Sequence, residues 1–300
     1  MALLEPAVKR RLLERLLSHA SIEVTAHEPA VADTLQTHFS PGADVHVTYL
    51  PSDDLGVTEE TCVRLRRAGY NPTPHLTARN FVDRETLERY VSRLAEYAAV
   101  TRALVIAGDV DRPRGPFTTS LDLLRTGLPG QYGIRSILIA GHPEGHPSVA
   151  DPELDAALRE KTAFAREHGL AIEIVTQFCF EAAPVLAWLE RIRAMGIDAP
   201  VRVGVAGPAN TATLLRFALR CGIGNSLRAL RRRSNAIGKL LGDTSPDEVL
   251  QDLTAGFDEA RHGAIGGIHI YLFGGQRKTS EWLATARRAA ASADESGNTA

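Results

Sequence analysis

The stretch ALVIAGDVDRPRG, Ala103–Gly115, decides the fold prediction for this chain. It opens with an apolar run, Leu104–Ile106, which is typical of a buried strand in a parallel sheet. The run stops at Ala107, Gly108 and Asp109. A carboxylate just after a buried strand, beside a glycine that permits close approach of another group, is typical of an α/β enzyme site. One Asp and one Gly are also ordinary turn residues, so the rest of the chain has to decide.

Seven further segments have the character of strands, and helical patterns separate them. These predicted strands are Ser21–Ala26, Val45–Leu50, one within residues 71–80, Gly133–Ala140, Ala171–Phe178, Val201–Ala206 and Gly267–Phe273. Eight strand–helix repeats predict a (β/α)8 TIM barrel. The alternative, an open doubly wound sheet, would place a glycine-rich phosphate loop after the first strand, and VTAHEPAVAD has no such glycines.

The predicted organisation is one barrel domain with an added N-terminal helix. The helix spans residues 1–20 and places Leu12, Leu13, Leu16 and Leu17 on one face, the barrel spans 21–290, and a disordered tail covers 291–300. The other helical patterns cover residues 29–39, 53–69, 84–99, 120–127, 152–168, 184–195, 209–221, 226–241, 246–262 and 279–290. Asp53 or Asp54 is the expected N-cap of the helix that ends near Gly69.

The composition favours a cytoplasmic globular protein. The chain has 300 residues, 44% of them hydrophobic and 23% charged, with a formal net charge of -2. This balance gives no reason to expect nucleic-acid or membrane binding, and no apolar stretch reaches the ~18–20 residues that a bilayer span needs. Cys62, Cys179 and Cys221 form no CxxC pair, which argues against a zinc site and against a disulfide framework.

Polar side chains follow most of the predicted strands. Because the C-terminal strand ends of this fold meet at one mouth, they are expected to form a single ring there. The ring consists of Glu23, Thr48, His75, Thr77, Asp109, His142, His146, Gln177 and Tyr271. The ring has too few cationic side chains to favour a sugar-phosphate substrate. Its histidines lack the i,i+4 spacing of a helical metal site, so we predict no bound metal. The run Arg231–Arg233 is interpreted as a solvated helix face, with attraction of a polyglutamate tail as the alternative.

The strand ends carry a resemblance to a known family. The segments IEVTAHEP, VTYLPSDD, PHLTARN, VIAGD, AGHPEGHP, VTQFCF and HIYLF occur in the order found in methylenetetrahydrofolate reductases, from about residue 20 to residue 275. The IEVT form of the first strand resembles the shorter bacterial members associated with methyl-group catabolism. The resemblance implies a (β/α)8 barrel that holds FAD and passes hydride from NADH or NADPH to 5,10-methylenetetrahydrofolate, a folate substrate.

The resemblance also implies roles for individual residues. Glu23 falls on the family's general acid, Asp109 on an aspartate near the flavin and the pterin, and Gln177 on a glutamine that hydrogen-bonds the pterin. The positions implied to bind the flavin or the nicotinamide are Thr48, His75, Gly108, Asp109, His142, His146 and Lys161. Tyr271 and Arg277 are assigned to the folate.

The implied reaction needs an acid. The methylene bridge of the folate is unreactive until N10 is protonated and the ring opens to an iminium cation at N5. A buried carboxylic acid, whose pKa burial raises, can supply that proton, and Glu23 inside a strand is the candidate. Asp109 could then stabilise the cation, and the amide of Gln177 could match the donors and the acceptor of the pterin edge.

Several positions depart from the family pattern. Ala107 stands where the family has an arginine, Ala157 stands where an asparagine precedes the position of Lys161, and the final-strand arginine is lost at Gly274-Gly275, with Arg277 two residues beyond. These losses fall mainly on FAD contacts and leave open direct hydride transfer without flavin. A methyltetrahydrofolate-dependent methyltransferase, a non-catalytic pterin-binding barrel and a homo-oligomer also remain open.

Overall fold

Eight parallel strands form a closed barrel in this computed structural model, which describes residues 6–27, 35, 39–221 and 243–292. The barrel strands are β1 Ser21–Val24, β2 Asp44–Val47, β3 Asn71–Thr77, β4 Arg102–Ile106, β5 Ser136–Gly141, β6 Ala171–Thr176, β7 Val201–Ala206 and β10 Ile265–Tyr271. Their order around the barrel is β1-β10-β7-β6-β5-β4-β3-β2. The predicted (β/α)8 barrel is therefore confirmed, and the two short strands β8 Ala209–Asn210 and β9 Asp243–Thr244 pair antiparallel outside it.

The described helices follow the predicted alternation. They are α1 Pro6–Ser18, α2 Leu55–Arg67, α3 Arg84–Ala98, α4 Ser120–Arg125, α5 Leu128–Gln131, α6 Asp151–Glu167, α7 Ala182–Ala194, α8 Thr211–Cys221, α9 Asp247–Gly256, α10 Glu259–His262 and α11 Gln276–Ser292, with a 3-10 turn at Ala78–Asn80. Asp54 is the N-cap of α2, since its carboxylate accepts the Gly56 N–H at 2.7 Å.

Four predicted segments differ from the structure or lie outside its described part. The helix predicted over 246–262 is wrong as one element, because the chain leaves the helix at Phe257 and Asp258 caps a second helix, α10. The predicted helices 29–39 and 226–241, with Arg231–Arg233, fall mostly or wholly on residues outside the described set. Of the predicted tail, residues 291 and 292 belong to α11, and 293–300 lie outside it.

The chain divides into two compact units, each assembled from separate stretches of sequence. One, here called the Glu23 unit, comprises Ser21–Ala140 and Leu158–Val175. The other, the Gln177 unit, comprises Met1–Ala20, Gly141–Ala157 and Thr176–Ala300.

Apolar strand residues form a buried cluster in the Glu23 unit. Leu104, Leu138 and Val175 form a buried cluster with Ile106 against it. At the N-terminal ends of its strands, the Arg102 guanidinium bonds Asp44 at 2.7 Å and Glu173 at 2.9 Å. These contacts tie β2, β4 and β6 together at the end where barrel residues serve stability.

The Gln177 unit contains α1 and the final helix. Leu16 and Leu17 of α1 are buried, as the predicted apolar face requires. The Arg287 side chain of α11 donates from Nε to the Leu17 carbonyl at 3.0 Å and so satisfies one of the last carbonyls of α1.

Candidate active site

Glu23 lies opposite a histidine inside the strand layer of its unit. The register pairs Glu23 with His46 and His46 with Thr73, so these side chains share one face of the sheet, and His75 follows two residues later on that face. Glu23 Oε2 is 3.6 Å from His75 Nε2, with side-chain exposures of 23% and 7%. The His46 and His75 rings meet edge to face at 5.9 Å. A strand carboxylate is accommodated here because a ring nitrogen faces it.

A set of buried polar atoms lies along β3 and just beyond the ends of β2 and β3. Within the described residues, four side chains of this region have hydrogen-bonding atoms that are buried and lack a partner: Thr48, Thr73, Thr77 and Asn80. Each buried polar group left unpaired costs about 1–3 kcal/mol. A bound heterocycle with hydrogen-bonding edges would supply such partners, so this region is chemically suited to a polar ring system.

Asp109 follows β4 on an exposed loop. Gly108, directly before it, has φ +96°, a conformation that L side chains rarely adopt. A Cβ at Gly108 would lie 3.3 Å from Thr77 Cβ, so the glycine also allows the two strand ends to approach closely. Close approach of a substrate group at Gly108 and the ligand that Asp109 contacts both stay predictions.

Lys161 is a partly buried cation on α6. Burial lowers the pKa of its amine from 10.5 to about 8, against an opposing effect from the nearby Glu160 carboxylate. In the described part of the chain the amine has no hydrogen bond or ion pair. An amine in this state is well placed to gain from an anionic partner such as a phosphate.

In the Gln177 unit, Thr176 fixes the backbone around Gln177. The Thr176 hydroxyl accepts the Gly204 N–H at 2.8 Å and donates to the Gln177 carbonyl at 2.9 Å. The Gln177 N–H donates to the Gly141 carbonyl at 2.9 Å. The side-chain Oε1 accepts the Phe178 N–H at 3.1 Å, which orients the amide and leaves its NH2 group to donate.

An aromatic cluster adjoins Gln177 and was missed by the sequence reasoning. Phe217 stacks on Phe273 at 4.2 Å and 20°, and Phe178 meets Phe273 edge to face at 4.7 Å. The Tyr271 hydroxyl donates to the Thr176 carbonyl at 3.0 Å. Tyr271 was identified at a strand end, whereas Phe217 lies within α8, where no local pattern distinguishes it from a core residue.

The remaining predicted site residues of this unit occupy loop and helix-start positions. His142 and His146 form an edge-to-face pair at 5.3 Å, and His146 Nδ1 accepts the Ser148 N–H at 3.2 Å. Arg277 is 72% exposed in the first turn of α11 and bonds Glu281 at 3.0 Å. Its folate role stays a prediction, with the guanidinium shared with a neighbouring carboxylate.

The candidate residues thus fall into two groups. The Glu23 unit contains Glu23, Thr48, His75, Gly108, Asp109 and Lys161, and the Gln177 unit contains His142, His146, Gln177, Tyr271 and Arg277. The described residues include no group of three or more His, Cys, Asp or Glu that could hold a metal ion. None of the helices within the described ranges has the length and apolar character needed to cross a membrane.

Comparisons with known proteins bear on the family and on the fold. A family model described as methylenetetrahydrofolate reductase matches residues 35–225. The chain belongs to the methylenetetrahydrofolate reductase family. A 5,10-methylenetetrahydrofolate reductase from Pectobacterium carotovorum subsp. carotovorum is 28% identical over 154 residues, covering 51% of this chain and 49% of that relative. The match therefore spans about half the length of this curated relative.

A solved structure supports the architecture alone. Dihydropteroate synthase (FolP) from Thermus thermophilus superposes with a TM-score of 0.50 at 14% sequence identity, covering 91% of this chain and 94% of that one. At this identity the similarity concerns the barrel. Family membership rests on the sequence match over residues 35–225.

Proposed function

We propose that this member of the methylenetetrahydrofolate reductase family reduces 5,10-methylenetetrahydrofolate to 5-methyltetrahydrofolate with NADH or NADPH, or runs the reverse reaction. The observation that carries the proposal is the approach of Glu23 Oε2 to His75 Nε2, which lie 3.6 Å apart on one face of the strand layer. A carboxylate in a barrel strand has no packing advantage over Val or Ile, so a chemical role accounts for it best. The IEVT form of β1 supports a short bacterial type within the family.

Glu23 is the proton donor in this reaction. Its carboxylic acid gives a proton to N10 of the folate, the bond between N10 and the methylene carbon breaks, and an N5 iminium cation forms. Hydride addition to the methylene carbon then leaves a methyl group on N5. His75 Nε2 faces this carboxyl group at 3.6 Å.

Asp109 and Gln177 serve the folate ring system. A carboxylate at Asp109 stabilises the cationic iminium electrostatically, and Gly108 lets the ring approach the backbone. The Gln177 amide, oriented by the Phe178 N–H, presents its NH2 group to the pterin. The neighbouring rings of Tyr271 and Phe273 offer a stacking surface.

The residues present fit an FAD cofactor. Thr48, with its unpaired buried hydroxyl, and His75 would face the ring system, and Lys161, with its lowered pKa, would gain a phosphate partner. Gly108, His142 and His146 complete the set that the family resemblance assigns to the cofactor. When bound, FAD would take hydride from the nicotinamide and supply it to the folate.

A second candidate is direct hydride transfer from the nicotinamide without flavin. It is favoured by Ala107, which stands where the family arginine would contact the cofactor. Flavin absorbance of the purified protein, or uptake of added FAD, supports the flavin route. NADH oxidation that depends on methylenetetrahydrofolate in a protein that binds no flavin supports the direct route.

The proposal is tested by Glu23→Gln. Glutamine keeps the shape and hydrogen bonding but cannot donate an acidic proton, so folate reduction is expected to fall ~10²–10⁴-fold while folate binding persists. Glu173→Gln, a strand carboxylate bound to Arg102, is the control and should lower stability rather than chemistry. Near wild-type folate reduction by Glu23→Gln would remove Glu23 as the acid.

A further inference from the structure

The loop that carries Asp109 is long and mostly exposed. It runs over residues 107–119 between β4 and α4, and Phe117 is its only buried residue. A loop with so little buried apolar surface depends on hydrogen bonds for a fixed shape. A catalytic carboxylate on such a loop needs something that holds it in place.

Arg79, in the turn after β3, contacts this loop at both of its ends. Its guanidinium donates from Nε to the Thr118 carbonyl at 2.9 Å and from Nη1 to the Val110 carbonyl at 3.3 Å. Its backbone N–H donates to the Ala107 carbonyl, and its carbonyl accepts the Arg114 N–H, both at 2.9 Å. One residue therefore joins the positions on either side of Asp109 to the far end of the loop.

The far end of the loop is itself fixed. The Asp122 carboxylate accepts the backbone N–H groups of Thr118 and Thr119 at 2.9 and 2.8 Å. Gly115 packs directly against the backbone at Val82, because a Cβ at residue 115 would lie 2.2 Å from the Val82 carbonyl oxygen. The guanidinium of Arg79 thus connects Val110, next to Asp109, to an anchored point.

We propose that Arg79 is a positioning residue that holds Asp109 in its working place through Val110. The inference rests on the proposed function, because it assigns Asp109 a role in folate reduction. The side chain contributes the two guanidinium bonds, and the two backbone bonds do not depend on the side chain and remain available in Arg79→Gln and Arg79→Lys. Arg79→Gln therefore loosens the Val110 side of the loop without removing its attachment to the turn after β3.

The kinetic test compares Arg79→Gln with Arg66→Gln. Arg66 uses three guanidinium bonds, to the Ala98 and Ala99 carbonyls and to Asn71 Oδ1, at the opposite strand ends of the same unit. We expect Arg79→Gln to lower kcat for folate reduction about 10- to 100-fold, since small displacements of reacting groups have effects of that size. Arg66→Gln should lower Tm by the same amount as Arg79→Gln and leave kcat at the wild-type value. Arg79→Lys, which can reach one carbonyl, should fall between Arg79→Gln and the wild type.

A double-variant comparison shows whether Arg79 acts through Asp109. If it does, adding Arg79→Gln to Asp109→Asn causes no further loss of kcat. The proposal is overturned if Arg79→Gln lowers kcat by the same factor in the wild type and in Asp109→Asn. It is also overturned if Arg66→Gln lowers kcat as much as Arg79→Gln does.

A second readout is independent of the reaction. Amide hydrogen exchange of residues 108–118 should accelerate in Arg79→Gln and remain at the wild-type rate in Arg66→Gln. Unchanged exchange in Arg79→Gln overturns the proposal even where the wild-type protein reduces folate. A wild-type protein without folate activity refutes the proposed function instead, and the exchange result still decides whether Arg79 holds the loop.

Discussion

Lys161 offers a test of the cofactor assignment through stability. The Lys161 side chain is partly buried on α6 and has no hydrogen bond or ion pair among the described residues. Burial lowers the pKa of its amine to about 8. We expect Lys161→Met to stabilise the protein at pH 7. Methionine keeps the aliphatic length of the side chain and removes the charge that burial disfavours.

The expected size follows from the pKa shift. A pKa of about 8 against the ordinary 10.5 corresponds to about 3 kcal/mol. Because the side chain remains partly exposed, solvent screening reduces this, and we expect about 1–2 kcal/mol. The folded-state pKa is the lower one, so the unfolded chain binds more protons between pH 8 and 10.5. The cost is fully present below pH 8 and disappears as the pH rises toward 10.5.

Urea unfolding at pH 7 and pH 9 measures the effect. The stability gap between Lys161→Met and wild type should shrink by roughly two fifths at pH 9. Arg159→Met, which removes an exposed cation from the same helix, should change the free energy of unfolding by less than about 0.5 kcal/mol. The variant should also bind FAD more weakly. Destabilisation by Lys161→Met at pH 7, or a gap that does not change with pH, would refute the reasoning.

Three further substitutions test other parts of the molecule. Gln177→Ala should raise KM for the folate, at a cost of ~1–3 kcal/mol, with little effect on NADH oxidation by an artificial acceptor; an unchanged KM removes Gln177 from the site. Gly108→Ala should cost about 1–2 kcal/mol in urea unfolding because of its φ of +96°, whereas Gly130→Ala, with open space around it, should not destabilise. Arg102→Met should cost about 3 kcal/mol in urea unfolding, since two carboxylates lose their shared cation; a change below about 1 kcal/mol would contradict that role.

The barrel could be predicted from the sequence because its strands are short apolar runs with clear stops. The first and last residues of individual strands and helices were harder to predict. β1 ends at Val24 rather than Ala26, and β5 begins at Ser136 rather than Gly133. The break at Phe257 was missed because the apolar spacing continues across it, while the Asp258 cap that starts α10 is a single residue.

The sequence singles out candidate site residues where one strand carries one distinctive polar residue. Glu23 and Gln177 stand out in this way, and the family resemblance supplied their roles. The facing of Glu23 and His75 depends on the register of β1, β2 and β3, which a single sequence does not specify. The contacts of Arg79 with the Asp109 loop could not be predicted from the sequence. Its side chain bonds backbone carbonyls, and these are present at every position of any chain.

The packing of α1 against α11 has a consequence for biosynthesis. Arg287 and the Leu17 carbonyl that it bonds are 270 residues apart in the chain. At ~5–20 residues per second, a ribosome needs roughly 15–50 s to travel that distance. During this interval Leu16 and Leu17 await the helix that helps to bury them, and a nascent chain is open to chaperones or to aggregation. Chains that stall before residue 276 would release α1 with its apolar face uncovered on the side that α11 occupies.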